Sequence, residues 1–481
     1  MRDPKVVLWK AYDALRGLVD AETWKECVLS LFFLRHVFDL EQEQAGRFPL
    51  PPAARFDALV EARRKPGNAT RIKAALVALE QADSQDSRRL FVGSKLDALV
   101  ALQSETVDEE LGNVLAMFGS PAFYLGLSPV REREVVVRAF TYLMAAFPAV
   151  SSANAGEHYT PRDVVRLMVE LVGPRPGDSL YDPVCGSAGL LLSCASFLKE
   201  QHDSREYAIY GQEINPLAWR VSRMNAMVHG EDGRRIERGD TLRQPLHVKG
   251  DTLERFDVIL ANPPFSVVVD ELEATMAHDR FGRFKGARLS DHRADYAFIL
   301  HMIASMHPER GRIVTVAPHG VLFRGGGEAE IRRSLIETNL LDAVIGLPPK
   351  LFYCTAIPTV ILCFRAKREQ EDVLFIDASG DYAADRRRNE LRSQDIERIV
   401  ATYRRRAAEP GYSSAVSRKQ LAENDFNLSI SRYVTAVAEE TRVDIEALER
   451  WQRELREELG GIQGGIEELL RRLGSGGRSA R

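Results

Sequence analysis

The 481-residue chain has no apolar run long enough to cross a bilayer, and its opening "MRDPKVVLWKAYDALRG" lacks the apolar core of a signal peptide. Cysteine is scarce. Cys27, Cys185, Cys194, Cys354 and Cys363 are odd in number and scattered, with no CxxC pair. That spacing argues against a disulfide framework and a zinc site, and it suits a reducing compartment. A cytoplasmic protein with no membrane association and no metal is the expectation. Basic excess is missing too: the formal net charge is −4, where a self-sufficient nucleic-acid-binding domain would usually be basic. Any bound DNA would be held through local patches or with another subunit. Nothing of the form GxxxxGK[ST] occurs, which removes the P-loop.

What is present is an ordinary globular composition on a chain long enough for two or three units. Residues 1–150 read as an N-terminal all-helical domain. "LWKAYDALRGLVDAETWKECVLSLFFLRHVFDLEQEQ" repeats apolar residues at three- and four-residue spacing. "AVSSANAGEHYTP" reads as a linker. Residues 151–435 alternate helical segments with the buried strands "SLYDP", "YAIYGQEI", "FDVILANPP", "RIVTVAP" and "DAVIGLPP". That alternation predicts an α/β, Rossmann-like domain with a doubly wound, mostly parallel sheet. Residues 436–481 form a C-terminal helical tail. Ile445, Leu448, Leu455, Leu459, Ile462, Ile466, Leu469 and Leu473 make a heptad seam, weakened in the middle by Gly460, Gly461, Gly464 and Gly465. The seam packs on its own chain or forms an intermolecular coiled coil.

Two stretches carry chemistry. "DSLYDPVCGSAGLLLSCASFL" has the form strand, glycine-rich turn, helix, with the helix starting near Ala188. Gly186 and Gly189 let the backbone turn tightly and approach a ligand, and the helix N-terminus offers free N–H groups. The turn is not GxGxxG. Glu213 ends the second strand, where an acid suits a ribose hydroxyl pair, and Asp240 follows a possible third strand. Together they point to a nucleoside-containing cofactor across the carboxyl ends of strands one to three. Cys185 reads either as a nucleophile or, preferably, as a small buried thiol. The other stretch is "FDVILANPPFS", where a buried strand meets two prolines that cannot continue a sheet ladder. Its alternatives are an ordinary strand-ending turn or a rigid mount for Asn262 and Phe265.

"DPVCGSAGLL", "GQEIN" and "NPPF" together resemble the amino-methyltransferases that use S-adenosyl-L-methionine. The resemblance extends over nearly the whole chain to the modification (M) subunit of type I restriction-modification systems. It implies N6 methylation of a flipped-out adenine in double-stranded DNA. Asn262 and the Pro263 carbonyl would accept the two N6 hydrogens, Pro264 would stiffen the segment, and Phe265 would stack on the base. The cofactor site implied is Glu157, His158, Tyr159 and Thr160 of motif X, with Asp182, Cys185, Gly186, Ser187, Ala188, Gly189, Glu213, Asp240 and Asn262. Thr160, Pro161 and Asp163 also have the form of a helix cap and capping box. The resemblance implies a partner specificity (S) subunit that reads the sequence, two M copies per S subunit, and in some systems a restriction (R) subunit. "FRGGGEAEIR" reads as a phosphate cradle or as a loop over DNA or cofactor. The basic clusters Arg386–Arg388 and Arg404–Arg406 read as phosphate contacts or solvated helix faces.

Two other functions fit parts of this pattern: a protein-glutamine N5-methyltransferase and a stand-alone DNA adenine methyltransferase. Motif X, the helical N-terminal region and the terminal seam weigh against the first. The absence of a recognisable target-reading module weighs against the second. Cytosine C5 methylation is disfavoured because no Pro-Cys dipeptide supplies the usual thiolate.

Overall fold

The computed structural model describes residues 7, 10–11, 13–14, 17–43, 50–82, 95–121, 123–125, 160–265, 267–268, 272–288, 293–352, 358–385, 388–435, 450–453, 455–457, 459–463 and 465. Residues 1–434 form one compact unit and Thr435–Arg481 a second.

The first unit is built on a nine-stranded sheet. Its strands are β1 (Ser179–Asp182), β2 (Ala208–Glu213), β3 (Ile236–Arg238), β6 (Val258–Ala261), β7 (Arg312–Pro318), β8 (Leu341–Gly346), β9 (Thr359–Arg365), β10 (Val373–Asp377) and β11 (Ser413–Val416). A separate two-stranded ribbon joins β4 (Val248–Lys249) to β5 (Thr252–Leu253). The sheet order is β11-β10-β8-β9-β7-β6-β1-β2-β3, so the chain starts in the middle, winds outward to β3, and returns beside β1 to build the other half. All five strands expected from the sequence are present and parallel where they adjoin one another, joined by β3. β9 and β11 run antiparallel to their neighbours.

Burial explains why these segments read as continuous apolar runs. Leu180, Val258 and Leu260 pack into a core on one face of the sheet, and Tyr181, Ile259 and Ala261 into a second core on the other. A central parallel strand has no wet face. The helices Arg162–Val172, Gly189–His202 and Pro216–Val228 contribute to the first core, and Asp295–Ser305 and Gly327–Glu337 to the second.

N-terminal helices Ala21–Glu43, Phe56–Ala62, Asn68–Ala82, Leu96–Leu102 and Glu105–Phe118 confirm the helical periodicity of that region. The long first helix is tied down by buried polar bonds. Arg35 pairs with Asp39 at 2.8 Å and donates to the Phe118 carbonyl at 2.8 Å, while Asp39 accepts from the Leu125 N–H at 2.8 Å. These helices join the sheet body through Glu26, whose carboxylate lies 2.9 Å from the Arg220 guanidinium of helix Pro216–Val228. Both side chains are 4% exposed, and the same carboxylate accepts from the Lys95 N–H at 3.2 Å.

The basic clusters divide: Arg388 and Arg406 differ from both sequence alternatives, while Arg404 and Arg405 match the solvated face. Arg388 is buried against Asp163 and Glu390, each at 3.1 Å, and Arg406 pairs with Asp342 at 2.8 Å. Arg404 and Arg405 are exposed, as a solvated face requires, whereas Arg386 and Arg387 lie outside the described residues. In the second unit the described residues of 450–465 are helical, and the helix runs through Gly460 and Gly461 rather than breaking there. Leu455, Leu459 and Ile462 of the seam are 48%, 57% and 56% exposed. The remaining seam residues, Ile445, Leu448, Ile466, Leu469 and Leu473, lie outside the described residues.

Removing one partner of a buried ion pair strands the other charge, at about 3–5 kcal/mol. Glu26→Ala is therefore expected to destabilise the first unit by about that amount in urea unfolding, and Glu26→Leu combined with Arg220→Met to recover most of it.

Candidate functional site

The site forms where the parallel strands end. β1 stops at Asp182 and the chain turns through Cys185–Ala188 before helix Gly189–His202, close to the expected start. Gly186 has φ +52°, and the space where a Cβ would stand is empty within 4 Å, so the turn presents bare backbone. Ala188 also sits in the left-handed region, at φ +63°. The turn is fastened to the end of β2. The Gly186 N–H donates to Glu213 Oε2 at 2.8 Å, and the Asn215 N–H donates to Oε1 at 2.7 Å. Asn215 then caps helix Pro216–Val228, accepting from Leu217 and Ala218 at 2.9 and 3.0 Å. From inside that helix Asn225 donates back to the Ser187 carbonyl at 2.8 Å, closing the frame.

Cys185 belongs to this frame through its backbone. Its N–H donates to the Gln212 carbonyl at 3.0 Å, and its sulfur faces Gly211, where an added Cβ would come within 3.0 Å of Sγ. Burial, followed by the nearby Asp182 and Glu213 carboxyls, pushes the thiol well above the ordinary range. It is a buried, packed thiol, the preferred of the two sequence readings. Asp182 is also buried. Desolvation, opposed by the Val184 N–H and aided by neighbouring Glu213, raises its carboxyl to about 8. Asp240 lies two residues past β3, its Oδ1 accepting from the Leu242 and Arg243 N–H groups at 2.9 and 3.2 Å.

At the end of β6, the Pro263 and Pro264 rings follow Asn262, and neither has an N–H for the ladder. Asn262 Nδ2 donates to Thr160 Oγ1 at 3.1 Å. Its Oδ1 is buried and has no hydrogen-bond partner among the described residues. A buried acceptor left unpaired is costly, so such a group marks a place built for a donor that comes from outside. Phe265 meets Phe352 edge to face, centroids 5.7 Å apart at 88°.

The helix-capping alternative for motif X is overturned. Pro161 is the N-cap of helix Arg162–Val172, with no side-chain capping bond. Thr160 turns to Asn262 instead, and the Asp163 carboxylate accepts from Arg388 at 3.1 Å and from the Leu391 N–H at 2.8 Å. Glu157, His158 and Tyr159 lie outside the described residues, as does Cys354. The structure thus gathers Thr160, Asp182, the 185–189 turn, Glu213, Asp240 and the Asn262–Phe265 segment at one edge of the sheet. Sequence reasoning passed over Phe352 and Ile214. The latter follows Glu213 and is 61% exposed, an unusual state for isoleucine and a signal legible only from burial.

Bare backbone at Gly186, a carboxylate oriented by two N–H groups at Glu213, a second at Asp240 and the apolar face of Ile214 form a donor set that fits a nucleoside-containing group. Among the described residues no cluster of His, Cys, Asp or Glu is arranged to hold a metal ion, and no helix is long and apolar enough to cross a membrane.

Residues 131–442 match the family model described as N-6 DNA methylase. The chain is similar to the methylase subunit of the type I restriction enzyme MpnII from Mycoplasma pneumoniae, with 29% identity over 342 residues, 69% of this chain and 63% of the relative. It is likewise similar to the MjaIX methylase subunit of Methanocaldococcus jannaschii, 27% identical over 522 residues, 97% of this chain and 91% of that protein. Among solved structures, the methyltransferase subunit of a type I restriction-modification system from Streptococcus thermophilus superposes with a TM-score of 0.76 at 28% identity, covering 90% of this chain and 99% of that one. The chain thus spans somewhat under two thirds of the MpnII subunit and nearly all of the other two. With the family model matched over well more than half its residues, the chain belongs to the N-6 DNA methylase family.

Proposed function

We propose that the chain is the modification subunit of a type I restriction-modification complex, an S-adenosyl-L-methionine-dependent methyltransferase acting on the N6 amine of adenine in double-stranded DNA. The observation that carries this reading is the unpaired, buried Oδ1 of Asn262, held by Thr160 beside a turn built for a nucleoside. The relatives are type I methylase subunits, which favours adenine over protein glutamine as the acceptor. S-adenosyl-L-methionine, when bound, supplies an electrophilic methyl group. Glu213 and Asp240 would hold the hydroxyls and polar edge of its nucleoside, Ile214 would cover a ring face, and the 185–189 turn would pass beneath it. Motif X residues Glu157, His158 and Tyr159 complete this set in the proposal, alongside Thr160 and Asp182.

The chain's own work on the acceptor is positional. An exocyclic amine is a poor nucleophile because its lone pair is delocalised into the ring. Asn262 Oδ1 and the Pro263 carbonyl, each accepting one amine hydrogen, favour a more tetrahedral nitrogen with its lone pair exposed. Thr160, bonded to Nδ2, tethers the amide while the amide oxygen is left open to the amine. Phe265, steadied by the Phe352 edge, offers a stacking face to a base withdrawn from the duplex. No strong general base is required, because the amine becomes acidic once alkylated.

Sequence recognition is assigned to a separate specificity subunit, shared by two copies of this chain, with a restriction subunit in complexes that also cleave. The helical tail, 436–481, is the proposed docking element, 1–150 the helical module and 151–435 the catalytic one, in a cytoplasmic assembly. Radiolabelled cofactor and DNA lacking adenine methylation test the reading, with the chain alone and then with a specificity subunit encoded beside it. Label recovered as N6-methyladenine only in the mixture supports it; label on protein instead overturns it.

Asn262→Ala is expected to lower methyl transfer by about 10²–10³-fold or more, the scale of removing one preorganised polar group, with cofactor binding changed less than about threefold. Thr160→Val leaves the amide present but unheld, so a smaller loss of kcat is expected. A further outcome follows from Asp182. Its folded carboxyl titrates near 8 and its unfolded one near 3.8, so the native state keeps this proton while the unfolded chain releases it. The group therefore favours unfolding increasingly as pH rises from about 4 to 8. Asp182→Asn, which mimics the neutral acid, should flatten the fall in denaturant stability over that window.

A further inference from the structure

The segment after the NPPF motif makes an excursion and returns. The Ala294 N–H donates to the Val267 carbonyl at 3.0 Å, and Val268 bridges Arg293, so both ends are clipped together directly beyond Phe265. Residues 279–293 carry five Lys or Arg against two Asp, the reverse of the chain's net sign. This part is anchored from below. Arg283, 6% exposed, pairs with Asp279 at 2.8 Å and donates to the Thr241 and Leu242 carbonyls at 2.8 and 2.7 Å. Those carbonyls immediately follow Asp240 beyond β3. Arg283 also donates to His301 Nδ1 at 3.1 Å, and its guanidinium lies 4.7 Å from the ring of buried Phe284.

The far end of the loop is seated as firmly. A Cβ at Gly327 would stand 1.6 Å from the Arg288 carbonyl oxygen, so only glycine lets the two backbones pass. Gly327 opens helix Gly327–Glu337, which follows β7 in the chain. The glycine-rich "FRGGGEAEIR" thereby has a physical account that replaces the phosphate-cradle reading: it is the seat of the basic loop. The loop thus starts and ends beside the NPPF segment at the carboxyl end of β6, and it is anchored to the segments that follow β3 and β7.

Arg283 and Phe284 are used up as anchors. Arg280, Lys285 and Arg288 are not. All three are exposed, and none makes an ion pair among the described residues, although most other arginines of the sheet body do. Arg280 is steadied by the Phe281 ring at 4.7 Å. Gly282 and Gly286, at φ +68° and +77° with open space around them, flank Lys285 and carry no side chain that would hold a polyanion away.

We infer that Arg280, Lys285 and Arg288 form a phosphate-binding rim that grips the DNA backbone beside the target adenine. The inference rests on the DNA reading above and adds where the chain itself touches the duplex. Contacts of this kind position the substrate and carry no sequence information. They leave base recognition to another subunit while setting the register of the flipped nucleotide over Asn262.

The test is the salt dependence of DNA affinity for the full chain, alone and with the specificity subunit, by fluorescence anisotropy on a short duplex between 50 and 200 mM KCl. Each phosphate-neutralising cation contributes about 0.9 to the log–log slope, so Arg280→Gln/Lys285→Gln/Arg288→Gln should lower its magnitude by ~2.7 and each single variant by ~0.9. Duplexes with and without the recognised site should weaken by the same factor. Arg280→Lys/Arg288→Lys keeps the charge and should keep the slope. Cofactor binding and thermal melting should match the wild type, which separates loss of contact from loss of fold. An unchanged slope in the neutral variants overturns the rim and leaves the methyltransferase reading standing. A wild-type chain that binds no DNA in either form overturns the DNA reading and the rim with it.

Discussion

The hydrogen bond from the Gly186 N–H to the Glu213 carboxylate, 2.8 Å long, is the constraint on which the site depends. It joins the turn after β1 to the end of β2, so the two places where a nucleoside would be held cannot move apart. Its geometry requires glycine at φ +52° and a buried carboxylate oriented by a second N–H from Asn215. The same Asn215 caps helix Pro216–Val228, and that helix reaches the N-terminal helices through Arg220 and Glu26. A chain of direct bonds therefore runs from the first helices of the protein to the cofactor-side turn. Charge burial makes this arrangement stiff: three carboxyls, at Glu26, Asp182 and Glu213, lie almost wholly out of water. Each is tolerable only with its partners in place.

A second constraint orients the chemistry. Asn262 and Thr160 are 102 residues apart, and their 3.1 Å bond tethers the amide at the end of β6, with Oδ1 left without a partner among the described residues. Without it the side chain would be free to rotate about its own bonds. The prolines fix the backbone and Thr160 fixes the side chain. Neither alone would preorganise the oxygen.

Much of this was legible in sequence because local rules and burial agree there. A strand buried on both faces must be short and apolar, so all five strands on the route to the site were readable, and the glycine turn and the acids at strand ends followed by position. The misreadings share a cause. Thr160-Pro161-x-Asp163 has the local form of a helix cap, yet tertiary partners, Asn262 for the threonine and Arg388 for the aspartate, outbid the local bonds. β9 was hidden because an antiparallel strand inserted between parallel neighbours follows no alternation of strand and helix. Gly327 is a further case: three glycines suggest a phosphate, whereas the need is clearance for the Arg288 backbone. Such contacts between residues distant in sequence leave no periodic trace.

The distribution of arginine reconciles a net charge of −4 with a polyanionic substrate. Arg312 pairs with Asp178 at 2.6 Å, Arg324 with Asp295 at 2.9 Å, Arg368 with Asp342 at 3.0 Å and Arg388 with Asp163 at 3.1 Å. These guanidinium groups are consumed in cross-links within the fold, where the planar fork can satisfy carbonyls and carboxylates together. They therefore add little to the external field, and a count of basic residues overstates what DNA would feel. Among the described residues, the exposed cations without an ion pair include Arg280, Lys285 and Arg288, on a loop fastened at both ends beside the NPPF segment. A surface of that kind gives weak, sequence-blind affinity. On the proposed function it would hold a duplex in register and leave the finding of a site to a separate chain.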